Sequence, residues 1–345
     1  MLALLDRYGA KLTIMADVAE ILRFRDHLET TGEDRFHYRA ITRQLRRAVE
    51  AGHDVQLHLH SSYLNAVFDG VAWKQDYASY DLARLPLDRL RQMIGESKRW
   101  LEELIVPVKP TYRCNVFRAA NWSMQPSENL VRALVEHGFQ IDTSVFRYGR
   151  HDDLVRFDYA HAYSDLCPWP AAARDICQHD SASRLFEVPI YCELQAIWRF
   201  VTPNRIYRVV QQVLNPLPDD PVDARSASPE TRRLVDTVIR AGHAAVQRYP
   251  WKADFNQCEG RQLIGALRRA DARYCHIQPD LPFVLIGHSK TFTRYNAWSL
   301  RPFLAFVQAN PHRFGFGTFS NLDIEAFRVP LGERPPHLPD QQRTP

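Results

Sequence analysis

Short apolar runs alternate along this chain with longer segments whose apolar residues recur at helical spacing, the pattern of βα units feeding a parallel sheet. Leu12 to Ala16 reads as a strand, and Ile41, Leu45, Ala48 and Val49 mark one face of a helix. The turn Ala51-Gly52-His53-Asp54 introduces a second strand, Val55 to Leu59. Residues 63–85 form a long loop bearing Tyr63, Phe68, Trp73, Tyr77 and Tyr80, and loops of that length in compact domains are usually functional or disordered. Leu87, Leu90, Ile94, Leu101 and Leu104 then define a helix that Pro107 stops, and Thr111 to Phe117 is the next strand. Leu130, Leu134 and Val135 share a helix ended by His137-Gly138, the glycine taking the position after the C-cap. Phe139–Thr143, Leu185–Tyr191, Phe283–Ile286 and Phe314–Phe319 complete the expected strands. Residues 202–250 read as two helices around a surface excursion, Pro216 to Pro229, and a helix spans about 260–271.

Composition narrows the class. The 345 residues are 45% hydrophobic and 24% charged, enough apolar material for one large barrel or two domains. The net charge of +4 is carried mostly by arginine, and no basic stripe interleaves with aromatics, so nucleic acid is not an expected partner. No run approaches the roughly 18 apolar residues of a membrane span. The first residues lack the charged start and long apolar core of a signal peptide, so a cytoplasmic location is expected. Cys114, Cys167, Cys177, Cys192, Cys258 and Cys275 form no C-x-x-C pair and are expected to be reduced core thiols.

Three constellations stand at the ends of expected strands, where parallel α/β folds place their chemistry. His58 and His60, two apart on a strand, point to one face and can converge on one divalent metal. Arg118 and Trp122 follow the third strand; an arginine there can orient a carboxylate, and Trp122, with Tyr63, can wall a sugar ring. His288 follows the apolar run Val284-Leu285-Ile286-Gly287, well placed for proton transfer. Ser289 is not a nucleophile candidate, because Gly287-His288-Ser289-Lys290 lacks the second glycine of G-x-S-x-G. There is no phosphate-binding glycine loop of either common type.

In order along the chain, these segments resemble the polysaccharide deacetylases of the NodB-homology family (carbohydrate esterase family 4-like). Leu4 to Thr13 resembles its "LLDKYGVKATFF" segment, Ala51 to His58 its "aGHEIgsH" metal motif, and Phe117 to Trp122 its arginine motif. Gly138 to Ser144, with Asp142, resembles the "G…DsS" strand, Val284 to His288 the late "Leu-x-His" motif, and Phe316 to Leu322 the closing strand. The resemblance implies a distorted (β/α) barrel over residues 1–328, with insertions at about 63–85 and 199–260 and a proline-rich, disordered tail at 329–345. It implies a metal-dependent hydrolase, zinc being the expected ion, that removes N-acetyl groups from a sugar of a polysaccharide or its precursor. His58 would be a metal ligand, Arg118 would orient the catalytic base and His288 would be the general acid. The family's second histidine falls where this chain has Ser62, leaving His60 as the nearest substitute. The family's opening strand with its Asp-Asp pair has no counterpart here, so the first strand is expected to be missing, and Asp17, Asp142 and Glu193 are the carboxylates available to compensate. Two other classes stay open: an amidohydrolase-type metal barrel, for which His276 and Asp323 are poorly placed, and a degenerate barrel that binds sugars without cleaving them.

Overall fold

The computed structural model describes residues 1–203, 205–206, 247–274 and 280–328. The expected helix pair within 202–250, the Pro216–Pro229 excursion, Cys275, His276 and the 329–345 tail lie largely or wholly outside these.

The protein is mixed α/β, built on a seven-stranded sheet in the order β1-β2-β5-β6-β11-β9-β10. β1 (Thr13–Asp17), β2 (Asp54–Leu59), β5 (Val116–Ala119), β6 (Ile141–Asp142) and β11 (Phe186–Glu187) run parallel. β9 (Trp169–Ala172) pairs antiparallel with β11 and with β10 (Asp175–His179), which ends the sheet. The first three crossovers are helical: α2 (Val18–Thr31) and α3 (Tyr38–Glu50), then α4 (Leu87–Ile105), then α5 (Glu128–Glu136). α1 (Leu2–Arg7) precedes β1. Hairpins β3 (Val67–Phe68)/β4 (Trp73–Lys74), β7 (Arg150–Asp152)/β8 (Arg156–Asp158) and β12 (Cys192–Ala196)/β13 (Arg248–Lys252) stand off the sheet. α6 (Gly260–Tyr274) and α7 (Arg294–Gln308) pack together behind them.

One face of β2 and β5 carries Leu57, Leu59, Phe117 and Ala119, all buried, and α4 and α5 cover it with Leu90, Ile94, Leu101, Leu130 and Leu134. Burying each such side chain stabilises the fold by about 1.5–3 kcal/mol. A second cluster joins Leu5 of α1 to Trp251, Leu263, Leu267, Phe303 and Leu304. The five described cysteines are buried. No helix among the described residues is long and apolar enough to cross a membrane.

Several expectations need correction. The strand expected at Thr111–Phe117 lies at Val116–Ala119, because Tyr112 turns inward and its hydroxyl donates to Val55 O at 2.6 Å. Phe283–Ile286 is not a ladder strand: only Val284 and Ile286 make single parallel bridges, to Ile190 and Asp254. Phe314–Phe319 forms no strand; its end approaches β1 through Phe319 N donating to Thr13 Oγ1 at 3.2 Å. A closed barrel is not shown among the described residues. The 63–85 loop is ordered by the β3/β4 hairpin and two short 3₁₀ turns (Tyr77–Ser79 and Leu82–Arg84).

Candidate metal centre

Register builds the site. Asp17 on β1 pairs with His58 on β2, and His58 pairs with Arg118 on β5. Side chains in register on parallel strands share a face, so Asp17, His58 and Arg118 line one side of the sheet at its C-terminal rim. His60, two residues on, joins them: the His58 and His60 rings lie 4.7 Å apart between centres, edge to face.

Each imidazole is fixed through Nδ1. His58 Nδ1 donates to Arg118 O at 2.8 Å, and His60 Nδ1 donates to Asp17 Oδ2 at 2.7 Å. His60 N also donates to Asp17 Oδ1 at 3.2 Å. A proton on Nδ1 leaves the lone pair on Nε2, the atom that binds a metal when carboxylate or carbonyl orients the ring from behind. Asp17 stands at the N-cap of α2, yet its side chain does not cap that helix, its hydrogen bonds going to His60 instead.

Charge follows from these contacts. Burial, reinforced by neighbouring His60, pushes His58 down to about 3. It is therefore a neutral imidazole at ordinary pH. Burial also opposes charge on His60, but the Asp17 carboxylate overcomes it and raises His60 above its ordinary value. Burial opposes charge on Asp17 too, and His60 outweighs it, holding the carboxyl below the usual range. Glu20, in the first turn of α2, is raised by burial and by Asp17, while His60 and Lys290 act in the other direction. Sequence reasoning missed Glu20 because it belongs to no strand end; its signal is position three after Asp17, at the start of a helix.

The pair fits a divalent ion in tautomer, and His58 fits in protonation; His60, raised by Asp17, must give up a proton to bind one. The pair falls short in number: catalytic zinc normally takes three protein ligands. Among the described residues, no third imidazole, thiol or carboxylate joins His58 and His60 in a set mutually within 4.8 Å. The set that does meet that spacing, His161, Asp175 and Cys177, involves edge strand β10, at the opposite end of the sheet from β1.

Other expected residues divide. Tyr63 is at the site, its ring 6.4 Å from that of His60. Trp122 stands past the end of β5, edge to face with Phe146 at 5.7 Å. Asn121 and Trp122 both have positive φ, 52° and 57°, and Tyr159 donates its hydroxyl to Trp122 O at 2.5 Å. Arg118 makes its side-chain hydrogen bonds to Thr143 rather than to a carboxylate among the described residues: Nε donates to Thr143 O at 2.8 Å and a terminal nitrogen to Thr143 Oγ1 at 3.1 Å, pinning the turn after β6. Burial lowers it to about 10, with Asp142 and Glu187 opposing.

Asp142 is not with the histidines. It pairs with Phe117, on the other face from Arg118, and is fully buried beside Glu187. Ser144 Oγ and N donate to it at 2.9 and 3.2 Å. Burial raises both carboxyls, Glu187 well above its ordinary value because Asp142 adds a like charge. Glu187 Oε2 is buried without a hydrogen-bond partner; a proton held between the two carboxyls would give it one. Glu193 is likewise engaged elsewhere, in an ion pair with Arg269. His288 is exposed at the head of a 3₁₀ turn, its N accepted by Asn256 Oδ1 at 2.7 Å. The link from this turn to the pair is Lys290, whose charge acts on His60 and Glu20.

The fold and site define a mixed α/β protein with paired histidines at the C-terminal rim of its parallel strands. No protein-family model and no curated protein matches the chain. Among solved structures, a proposed polysaccharide deacetylase from Mycobacterium smegmatis matches with a TM-score of 0.46 and 16% identity, over 95% of this chain and 75% of that one.

Proposed function

We propose that this protein is a metal-dependent hydrolase that removes an acetyl group from an N-acetylated sugar of a polysaccharide or its precursor. The observation that carries the reading is the pair His58 and His60, each oriented through Nδ1 with Nε2 available, beside a carboxylate on the adjoining strand. The ordered resemblance of the motifs to the NodB-homology deacetylases supports it. His58 and His60 would hold the ion, zinc being the expected one, with Asp17 setting the ring of His60. A divalent ion there supplies a Lewis acid for the amide carbonyl and acidifies a water. Glu20, its carboxyl raised by burial, can take the proton of the attacking water. His288, on the exposed turn, can return a proton to the leaving amine, a role worth about 10²–10⁴-fold. Tyr63 and Trp122 flank the sugar.

The test is metal content by elemental analysis together with acetate release from N-acetylated oligosaccharides. Wild type should hold one equivalent of metal more than the His58→Ala/His60→Ala double variant and should release acetate, which the variant should not. Equal metal in both proteins would end the reading. The count of two ligands favours a second one, a barrel that binds the sugar without cleaving it. Sugar binding with no acetate release from the metal-loaded protein would select it.

A further inference from the structure

Three segments of chain converge at the edge of the sheet farthest from β1. Asp175 and Cys177 stand on β10, His161 lies in the loop that leaves β8, and Gln125 precedes α5. One nitrogen of His161, one carboxylate oxygen of Asp175 and Cys177 Sγ all lie within 4.8 Å of one another. Asp175 divides its oxygens. Oδ1 accepts from Cys177 N at 3.1 Å and from Gln125 Nε2 at 3.3 Å, while Oδ2 faces His161 Nε2 at 3.1 Å. Gln125 is itself oriented, its Oε1 accepting from Asp158 N at 2.8 Å. Its amide nitrogen is thereby turned to Asp175 and, at 3.9 Å, to Cys177 Sγ. Donors placed behind a carboxylate and a sulfur in this way are the support that metal ligands receive. The group is open on one side: Cys177 is buried, Asp175 partly so, and His161 is exposed.

We infer that His161, Asp175 and Cys177 form a second divalent-metal site, which takes a zinc-class ion with water as its fourth ligand. It stands independently of the histidine pair, at the other end of the sheet. The donor set selects the ion. Imidazole, carboxylate and thiolate together suit zinc, whereas magnesium and calcium take oxygen ligands. Three protein ligands with one open position is a coordination that zinc commonly adopts. Zinc bonds of about 2.0–2.3 Å place neighbouring ligand atoms about 3–4 Å apart. The Asp175–His161 separation already fits, and the exposed imidazole is free to swing toward the sulfur. Charge fits as well. Without an ion, burial and then the Asp175 carboxylate push the Cys177 thiol up, keeping it protonated and unreactive. A bound dication forms the bond to sulfur and releases that proton to solvent. Thiolate and carboxylate then match its two charges. The ion would cross-link edge strand β10 to the segment whose Tyr159 hydroxyl donates to Trp122 O, and so brace the turn that carries Trp122.

The experiment titrates cobalt(II), the spectroscopic stand-in for zinc, into the metal-free full chain and reads absorption. Thiolate ligation gives a sulfur-to-cobalt charge-transfer band in the near ultraviolet, which imidazole and carboxylate ligands do not. His58 and His60 offer no sulfur, so the band reports this site alone. Wild type should develop the band with one equivalent saturating it, and added zinc should displace it. The His58→Ala/His60→Ala protein should keep the band in full. Cys177→Ser should abolish it. His161→Ala, at an exposed position, should leave the metal-free melt unchanged. It should weaken cobalt binding at this site by at least the factor that loss of an outer support costs, about 10–100-fold. Cobalt bound to wild type without the band overturns the inference, as does a band that survives Cys177→Ser. Affinity in His161→Ala equal to wild type also overturns it, and that variant decides alone if Cys177→Ser fails to fold.

Discussion

At the scale of single residues, environment rather than identity divides the acids and histidines of this chain into roles. Asp17 and Asp142 are both aspartates at the ends of parallel strands, yet one face of the sheet carries His60 and the other carries Glu187. The first is stabilised as a carboxylate and the second is pushed toward its protonated form. The shared proton predicts a pH dependence. Glu187 binds its proton more tightly in the folded than in the unfolded chain, so its contribution is full below the unfolded value of about 4.3. It is lost as pH rises toward the elevated folded value, at no more than about 1.4 kcal/mol per pH unit. Glu187→Gln keeps a donor toward Asp142 and an acceptor for Val145 N, which Glu187 Oε1 now accepts at 2.9 Å. Urea melts from pH 4.5 upward, a range opening at about that unfolded value, should show a decline in the wild type that flattens in the variant. Parallel profiles would mean that the pair does not share a proton.

At the scale of elements, the turn carrying His288 depends on one glycine. A Cβ at Gly287 would lie 2.1 and 2.2 Å from carbons of the Phe255 ring and 2.6 Å from Asn256 Oδ1. Asn256 is the residue that holds His288, its Oδ1 accepting from His288 N and its Nδ2 donating to His288 O at 3.2 Å. Gly287→Ala should therefore cost about 1–3 kcal/mol by overpacking, read as a lower denaturation midpoint. It should also move the turn, read, under the proposed role of His288, as slower acetate release from an N-acetylated sugar. Gly265→Ala within α6 is the contrast. Its Cβ meets only Arg269 Nη1 at 3.2 Å, the guanidinium nitrogen that Glu193 does not hold, and relief of glycine's backbone entropy should leave stability unchanged or raised by up to about 1 kcal/mol.

At the scale of the whole molecule, α6 of the second apolar cluster is tied to the segment just before β9 by a buried ion pair. Asp165 is fully buried and accepts from Arg273 at 2.7 Å and from the Tyr274 hydroxyl, both on α6. Removing one partner of such a pair strands the other charge, whereas replacing both can be nearly neutral. Arg273→Met should destabilise the protein by about 3 kcal/mol, and adding Asp165→Asn should recover most of that loss. A double variant no more stable than Arg273→Met would show that the pair is not the tie. Chemical denaturation of the four proteins in the cycle gives the answer.

How much of this was legible in the sequence depends on the range of the interaction. Apolar periodicity alone located β1, β2, α4 and α5 to within a residue or two, because burial on one face is a local pattern. The same-face relation of His58 and His60 follows from strand periodicity, and Gly138 with φ of 75° closes α5 as its position demanded. Pairing between distant segments decided the rest. The partner of Asp17 is His60, 43 residues away, and that of Arg118 is Thr143, 25 residues away; neither spacing leaves a mark in the sequence. The apolar run at Phe283–Ile286 had the composition of a buried strand, yet only two of its residues find bridging partners. Lys252 and Trp122 lie 130 positions apart in the chain and meet through the fold. The sequence by itself determined which residues could bind metal, carry protons or form a core, since those are properties of side chains and their local period. Only the tertiary structure decided which of them face one another, because register and burial set both contact and charge.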